Sequence, residues 1–309
     1  MPGSKETWLF TSRVIALVGF LTLSILLGKN AFNRRLVHSL EAQDNCQFSK
    51  MVQIPAGEFL MGSDTSRKDE APAHQVYLDS YWIDQFEVTN GEYLIFIRET
   101  NREPPRYWEG GVYPAGQSSY PVVGVRWKDA QAFCEWTGKR LPTEAEWEKA
   151  CRGPDGQVYP WGDFPDPQRA NVGFPLDGPS PEMWEEAWDM LISPVGTGQP
   201  GLQPAGNYPG GASLYGVHDL VGNASEWVAD YYNWDGYREI NTRNPFVLEP
   251  TWNHVLRGSA WLMPYGGLLD GHDTSRCAAR SSSHGDTRDA RIGFRCAFNA
   301  EDQTPDENW

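Results

Sequence analysis

The side chains best able to do chemistry in this sequence are cysteines, and five are present: Cys46, Cys134, Cys151, Cys277 and Cys296. A thiolate attacks carbonyls, binds soft metals or pairs as a disulfide, and spacing separates these roles. Without a CxxC pair or a Cys/His cluster, a zinc site is not expected. Pairing four leaves one over, and Cys46 is the natural odd one: a free thiol, an intermolecular bridge or an inert buried group. A second group is His272, Asp273, His284 and Asp286, since histidine with carboxylate suits iron, zinc or copper(II). No third ligand converges on a predicted rigid element, so these residues read as solvated loop positions. No GxSxG elbow, P-loop, dinucleotide fingerprint or HExxH motif is present.

These residues must be held by elements, and the stretch from Ala132 to Gly153 is the clearest. It reads as two short helices joined by a Gly-Lys-Arg-Leu-Pro corner, one carrying Cys134 and the other Cys151. Thr143 followed by Glu146 forms a capping box, so the second helix starts at Glu144. Thr89, Asn90 and Glu92 open an earlier helix that buries Tyr93, Phe96 and Ile97 at helical spacing. MVQIPAGEFLMGS (Met51 to Ser63) reads as a strand pair, and His74 to Thr89 continues with strand-like alternation. Asn101 to Pro121 is a proline-rich loop. Asn171 to Tyr215 is irregular around MWEEAWDML (Met183 to Leu191), which suits a partner contact better than catalysis.

The chain of 309 residues carries 41 acidic against 26 basic side chains, a net charge of −15, which excludes nucleic-acid binding as a main role. Fourteen tryptophans point to a packed core built from irregular segments. Residues 1–13 form a short polar start, and 14–28 (VIALVGFLTLSILLG) read as an uncleaved transmembrane signal anchor rather than a cleaved signal. Residues 29–50 form a tether, 51–298 one domain, and 299–309 an acidic tail.

KRLPTEAEWEKACRG, with MVQIPAGEFLMGS, FEVTNGEY, YPWGD, LVGNASEW and RIGFRCA in that order, resembles the formylglycine-generating enzyme family, or sulfatase-modifying factors. The resemblance implies an α+β fold related to C-type lectins, with little regular secondary structure. It also implies bridges Cys134–Cys296 and Cys151–Cys277, which persist only in oxidising compartments. The globular part is therefore expected on the periplasmic or extracellular side of the membrane, with the N-terminus in the cytoplasm. A structural calcium ion is implied at Asp219, Gly222, Ala224 and Glu226, with Glu226 as the side-chain ligand. A second calcium site is implied at Asn171 and Val172 with an acid downstream, for which Asp189 is a candidate. Asn223-Ala224-Ser225 is a glycosylation sequon whose place in this loop argues against modification.

Active members of the family oxidise a sulfatase cysteine using copper(I) held by two cysteines that follow an active-site serine. Here those cysteine positions fall near Met263 and His272, the serine position reads Ala260, and no cysteine lies between Gly258 and Cys277. No copper is therefore expected. The function expected is a non-catalytic structural or interaction subunit of an integral membrane complex. Two alternatives are an oxidoreductase with a replaced active site around His272 and His284, and a calcium-dependent glycan or peptide binding module.

Overall fold

The computed structural model describes residues 50–172, 201–238, 241–261 and 273–300. The expected anchor, Cys46, nearly all of the tether, Met183 to Leu191 with Asp189, Met263, His272 and all of the tail but Asn299 and Ala300 lie outside the described residues. Among the described residues no helix is long and apolar enough to cross a membrane.

The strands β1 (Met51–Ile54) and β2 (Gly57–Met61) do not pair with each other, contrary to the strand pair read from the sequence. Instead β1 pairs with β4 (Tyr81–Asp84) and β2 with β3 (His74–Leu78), both antiparallel. Ile54 faces Tyr81 and Gly57 faces Leu78, so the two pairs form one long hairpin interrupted midway. The cause is local. A two-residue hairpin turn needs positive φ at its central residues, and Pro55 cannot supply it. The Lys149 ammonium pins the interruption by donating to the Pro55 and Gly57 carbonyls at 2.8 and 2.9 Å.

Among the described residues three α-helices follow: α1 (Asn90–Thr100), α2 (Trp127–Trp136) and α3 (Glu144–Arg152). The capping box expected at Thr143 and Glu146 is formed, and the helix expected to open at Thr89 starts with a second one, Thr89 with Glu92. The strand β5 (Ser225–Tyr231) lies between β6 (Asn253–Arg257) and β8 (Ile292–Phe294), antiparallel to the first and parallel to the second. β7 (Ser281–His284) pairs with the outer side of β6, and β9 (Ala297–Asn299) pairs with β4 in the sheet that also holds β1.

Among the described residues two large apolar cores and two small ones result. One large core gathers Ile54, Phe59, Trp147, Val228 and Val255 around α3, and the other gathers Tyr93, Phe96, Phe133, Trp227 and Phe294 between α1, α2 and β8. Each large core contains one disulfide: Cys151–Cys277 the first and Cys134–Cys296 the second, the pairing that the family resemblance implies. The tryptophans divide. Trp147 and Trp227 are fully buried, whereas Trp234 and Trp252 are 70% and 83% exposed, so core packing does not account for all of them.

The polar face of α3 is buried too, against arginines. Glu148 takes Arg152 at 2.8 Å and Arg257 at 2.6 Å, and Glu144 takes Arg280 at 2.7 Å. Charges this deep persist only when paired and hydrogen-bonded, and here each guanidinium also donates to backbone carbonyls.

Candidate functional site

The LVGNASEW turn, with the Asp219 that precedes it, owes its shape to three left-handed residues, Asp219 (φ 57°), Gly222 (φ 80°) and Asn223 (φ 58°). Gly222 also permits a close approach, since a Cβ there would lie 2.3 Å from the Asn171 carbonyl oxygen. That carbonyl accepts the Asn223 N–H at 2.9 Å, and the Asn171 amide donates to Asn223 Oδ1 at 3.0 Å. The two blocks expected to bind calcium, Asn171-Val172 and Asp219 to Glu226, are thus brought together. Asn223 is 1% exposed with its amide engaged on both sides, so the sequon is inaccessible in the folded chain.

The acids of the turn meet a cation that belongs to the protein. Glu226 accepts from Arg295 Nε and Nη2, both at 2.7 Å, and from the Trp147 indole N–H at 2.8 Å. A calcium ion at this carboxylate would have to displace the guanidinium. Arg295 is fully buried and also donates to the His218 carbonyl at 2.8 Å. Glu87 accepts from the Asn223 amide at 3.1 Å and from the Ala224 N–H at 3.2 Å. Three buried carboxylates, Glu87, Asp219 and Glu226, therefore lie in the field of one guanidinium, which is bonded to Glu226. Burial raises Glu87 well above the ordinary carboxylate value, aided by the neighbouring Asp219 charge, and pushes Asp219 up to about 6. A proton held by Glu87 would offset part of the excess negative charge.

At the position expected for the family's serine, Ala260 is 1% exposed and offers only a methyl group. Its neighbour Ser259 is equally buried, and its hydroxyl accepts the Gly222 N–H at 3.2 Å. Trp261 covers Gly201 so closely that a Cβ there would fall 2.0 Å from the ring, and its backbone N–H donates to the Asn223 carbonyl at 2.9 Å. Asp273 accepts from the Ser275 N–H at 2.8 Å and from the Tyr159 hydroxyl.

His284 and Asp286 sit apart from these groups. The His284 side chain is 50% exposed, its ring stacks on Trp252, and Asp286 pairs with Lys128 at 3.6 Å. Among the described residues no three His, Cys, Asp or Glu side chains converge as a metal site. Sequence reasoning passed over Glu87 and Arg295. Arg295 stands inside the GFRCA block, next to a cysteine that gives the block its clearer signal, and Glu87 is separated from the turn by more than a hundred residues.

Residues 37–300 match the family described as the sulfatase-modifying factor enzyme 1-like domain. The chain belongs to this family. This sulfatase-modifying-factor chain is 30% identical to the formylglycine-generating enzyme of Mus musculus over 298 residues, covering 81% of the chain and 75% of that protein. It is 33% identical to a mouse protein named inactive C-alpha-formylglycine-generating enzyme 2, covering 83% of the chain and 88% of that protein. Among solved structures, PvdO from Pseudomonas aeruginosa is similar with a TM-score of 0.60 and 25% identity, covering 81% of this chain and 94% of PvdO.

Proposed function

We propose that this chain is a non-catalytic member of the family, tethered to a membrane and acting as a structural or interaction subunit of an integral membrane complex. The cysteine inventory carries this reading. Cys134, Cys151, Cys277 and Cys296 are bonded to one another, and the interval from Gly258 to Cys277 contains no cysteine for a copper-binding pair. With two thiolates missing, copper(I) loses the soft ligands that select it. Similarity to a relative named as inactive supports the same reading.

The remaining parts rest on chemistry of the sequence. The apolar run at 14–28 supplies a membrane tether, and two bridges suit an oxidising, extracytoplasmic location for the globular body. The alternative of catalysis around His272 and His284 gains little from His284, which is exposed and whose neighbouring carboxylate, Asp286, lies 4.0 Å away and also pairs with Lys128.

Two measurements test the proposal. The purified chain, given copper(I), oxygen and a cysteine-containing peptide, should yield no aldehyde by hydrazide labelling, and aldehyde formation overturns the non-catalytic reading. Extraction of the full chain from its native membrane should retain companion membrane proteins, and recovery as a lone monomer overturns the subunit reading.

A further inference from the structure

A groove of about 720 Å³ opens between α2 and the segment from Asn244 to Leu248, and none of its described lining residues falls between Gly258 and Cys277. Its volume lies within the roughly 300–1,000 Å³ that enclose a drug-sized ligand. One wall is set by helical spacing. Trp127, Gln131 and Glu135 follow one another at i, i+4 and i+8 along α2, while Ala130, Phe133 and Cys134 on the other side are buried in the core. The opposite rim is apolar, with Phe246 43% and Leu248 65% exposed, and Leu141, Ala229 and Tyr231 also line the cavity.

The charges of the groove are unevenly compensated. Glu146 is gripped on both oxygens by Arg140 at 2.6 and 2.7 Å, and Asp79 takes Arg243 and Asn244, each at 2.6 Å. Among the described residues Glu135 has no cation. Its described partner is the Gln131 amide, which donates to Oε1 at 2.8 Å. That bond leaves Gln131 Oε1 and the second Glu135 oxygen as acceptors, and the Tyr231 hydroxyl, able to donate or accept, lines the same cavity. A ligand must therefore bring donors and positive charge, and the net charge of −15 draws such a ligand toward the chain. The exposed Phe246 and Leu248 need an apolar cover besides. A small amine would satisfy Glu135 but would leave both of these uncovered.

We propose that this groove binds a segment of a partner protein in which a lysine or arginine lies beside an apolar side chain, the cation meeting Glu135 and the apolar group covering Phe246 and Leu248. This deepens the interaction-subunit reading and rests on it only in taking the partner to be a protein.

The test is fluorescence anisotropy of the full chain with three labelled nonapeptide libraries, degenerate except for a central Leu-Lys, Leu-Arg or Leu-Glu. The first two should bind and the third should not. In Glu135→Lys, on an exposed helix face, the preference should turn toward the Leu-Glu library by about tenfold, the equivalent of 1.4 kcal/mol. Phe246→Ser with Leu248→Ser should weaken all binding. Absence of a library preference, a preference unchanged in Glu135→Lys, or displacement of the peptides by equimolar spermidine would each overturn the proposal. A lysine preference that persists while the chain is recovered from membranes alone would remove the subunit reading and leave the groove.

Discussion

The two disulfides are nested, and this makes their contributions to stability unequal to the sum of their parts. The outer bridge spans 162 residues and the inner one 126, and either alone should stabilise the fold by about 5 kcal/mol through the lost entropy of the unfolded chain. With the outer bridge in place, Cys151 and Cys277 are already joined by a short path through it. Adding the inner bridge then contributes only about 3.5 kcal/mol. Removing either bridge from the intact chain should therefore cost about 3.5–4 kcal/mol, whereas removing both should cost about 8.5–9 kcal/mol. The double loss exceeds the two single losses by about 1 kcal/mol. Guanidinium unfolding followed by tryptophan fluorescence can measure this on Cys134→Ala with Cys296→Ala, on Cys151→Ala with Cys277→Ala, and on the four-substituted chain, with sucrose present throughout to keep the last folded. Because the bridges lie in separate cores, the small voids left by alanine should add independently. A four-substituted chain that loses no more than the two pairs summed would refute the nested-loop reasoning.

Other outcomes follow from the buried charges. Arg295→Met leaves Glu226, Glu87 and Asp219 without a counter-charge and should lower unfolding stability by about 3–5 kcal/mol, read by denaturant titration. Asp230, which accepts the Glu144 and Val247 N–H groups at 2.7 and 2.9 Å, is pushed up to about 7 by burial and by the Glu144 charge. A carboxyl raised in the folded state contributes stability that is complete below its unfolded value and lost as pH rises. Stability should therefore fall between about pH 4 and pH 7, by roughly 4 kcal/mol for a shift of this size, and Asp230→Asn should flatten the slope. Calcium at millimolar concentration should raise the melting temperature by less than about 1 °C, because Arg295 holds the Glu226 carboxylate, and a larger rise reversed by chelation would show that the ion competes successfully.

Local features were legible from residue types alone. Thr89 with Glu92 and Thr143 with Glu146 announce helix starts because a capping box is complete within four residues, and the structure forms both. Pairing partners were not legible in the same way. Met51 to Met61 alternates as strands do, but its partners at His74 to Asp84 are chosen by Pro55, which forbids a tight turn, and by Lys149, nearly a hundred residues away. The site divides likewise. Asp219, Gly222 and Asn223 mark a turn through residues that tolerate positive φ, while the Glu226 partner is set by a tertiary contact spanning 69 residues. The exposed aromatic positions, Trp234 and Trp252, escaped a composition argument that treats every tryptophan as core.

The outer bridge also decides how the domain would carry mechanical load. Tension applied through the chain at Lys50 and Ala300 travels by the covalent path from 50 to Cys134, across the bond to Cys296, and out through β9. Residues 135–295, which include α3, the inner bridge and the LVGNASEW turn, lie off that path and would feel no direct pull. The hairpin, α1, α2 and the β4–β9 contact would be sheared first, and α3 would be loaded only through its contacts to the hairpin, such as Lys149 with the Pro55 and Gly57 carbonyls, so a tethered copy should yield first at its margin.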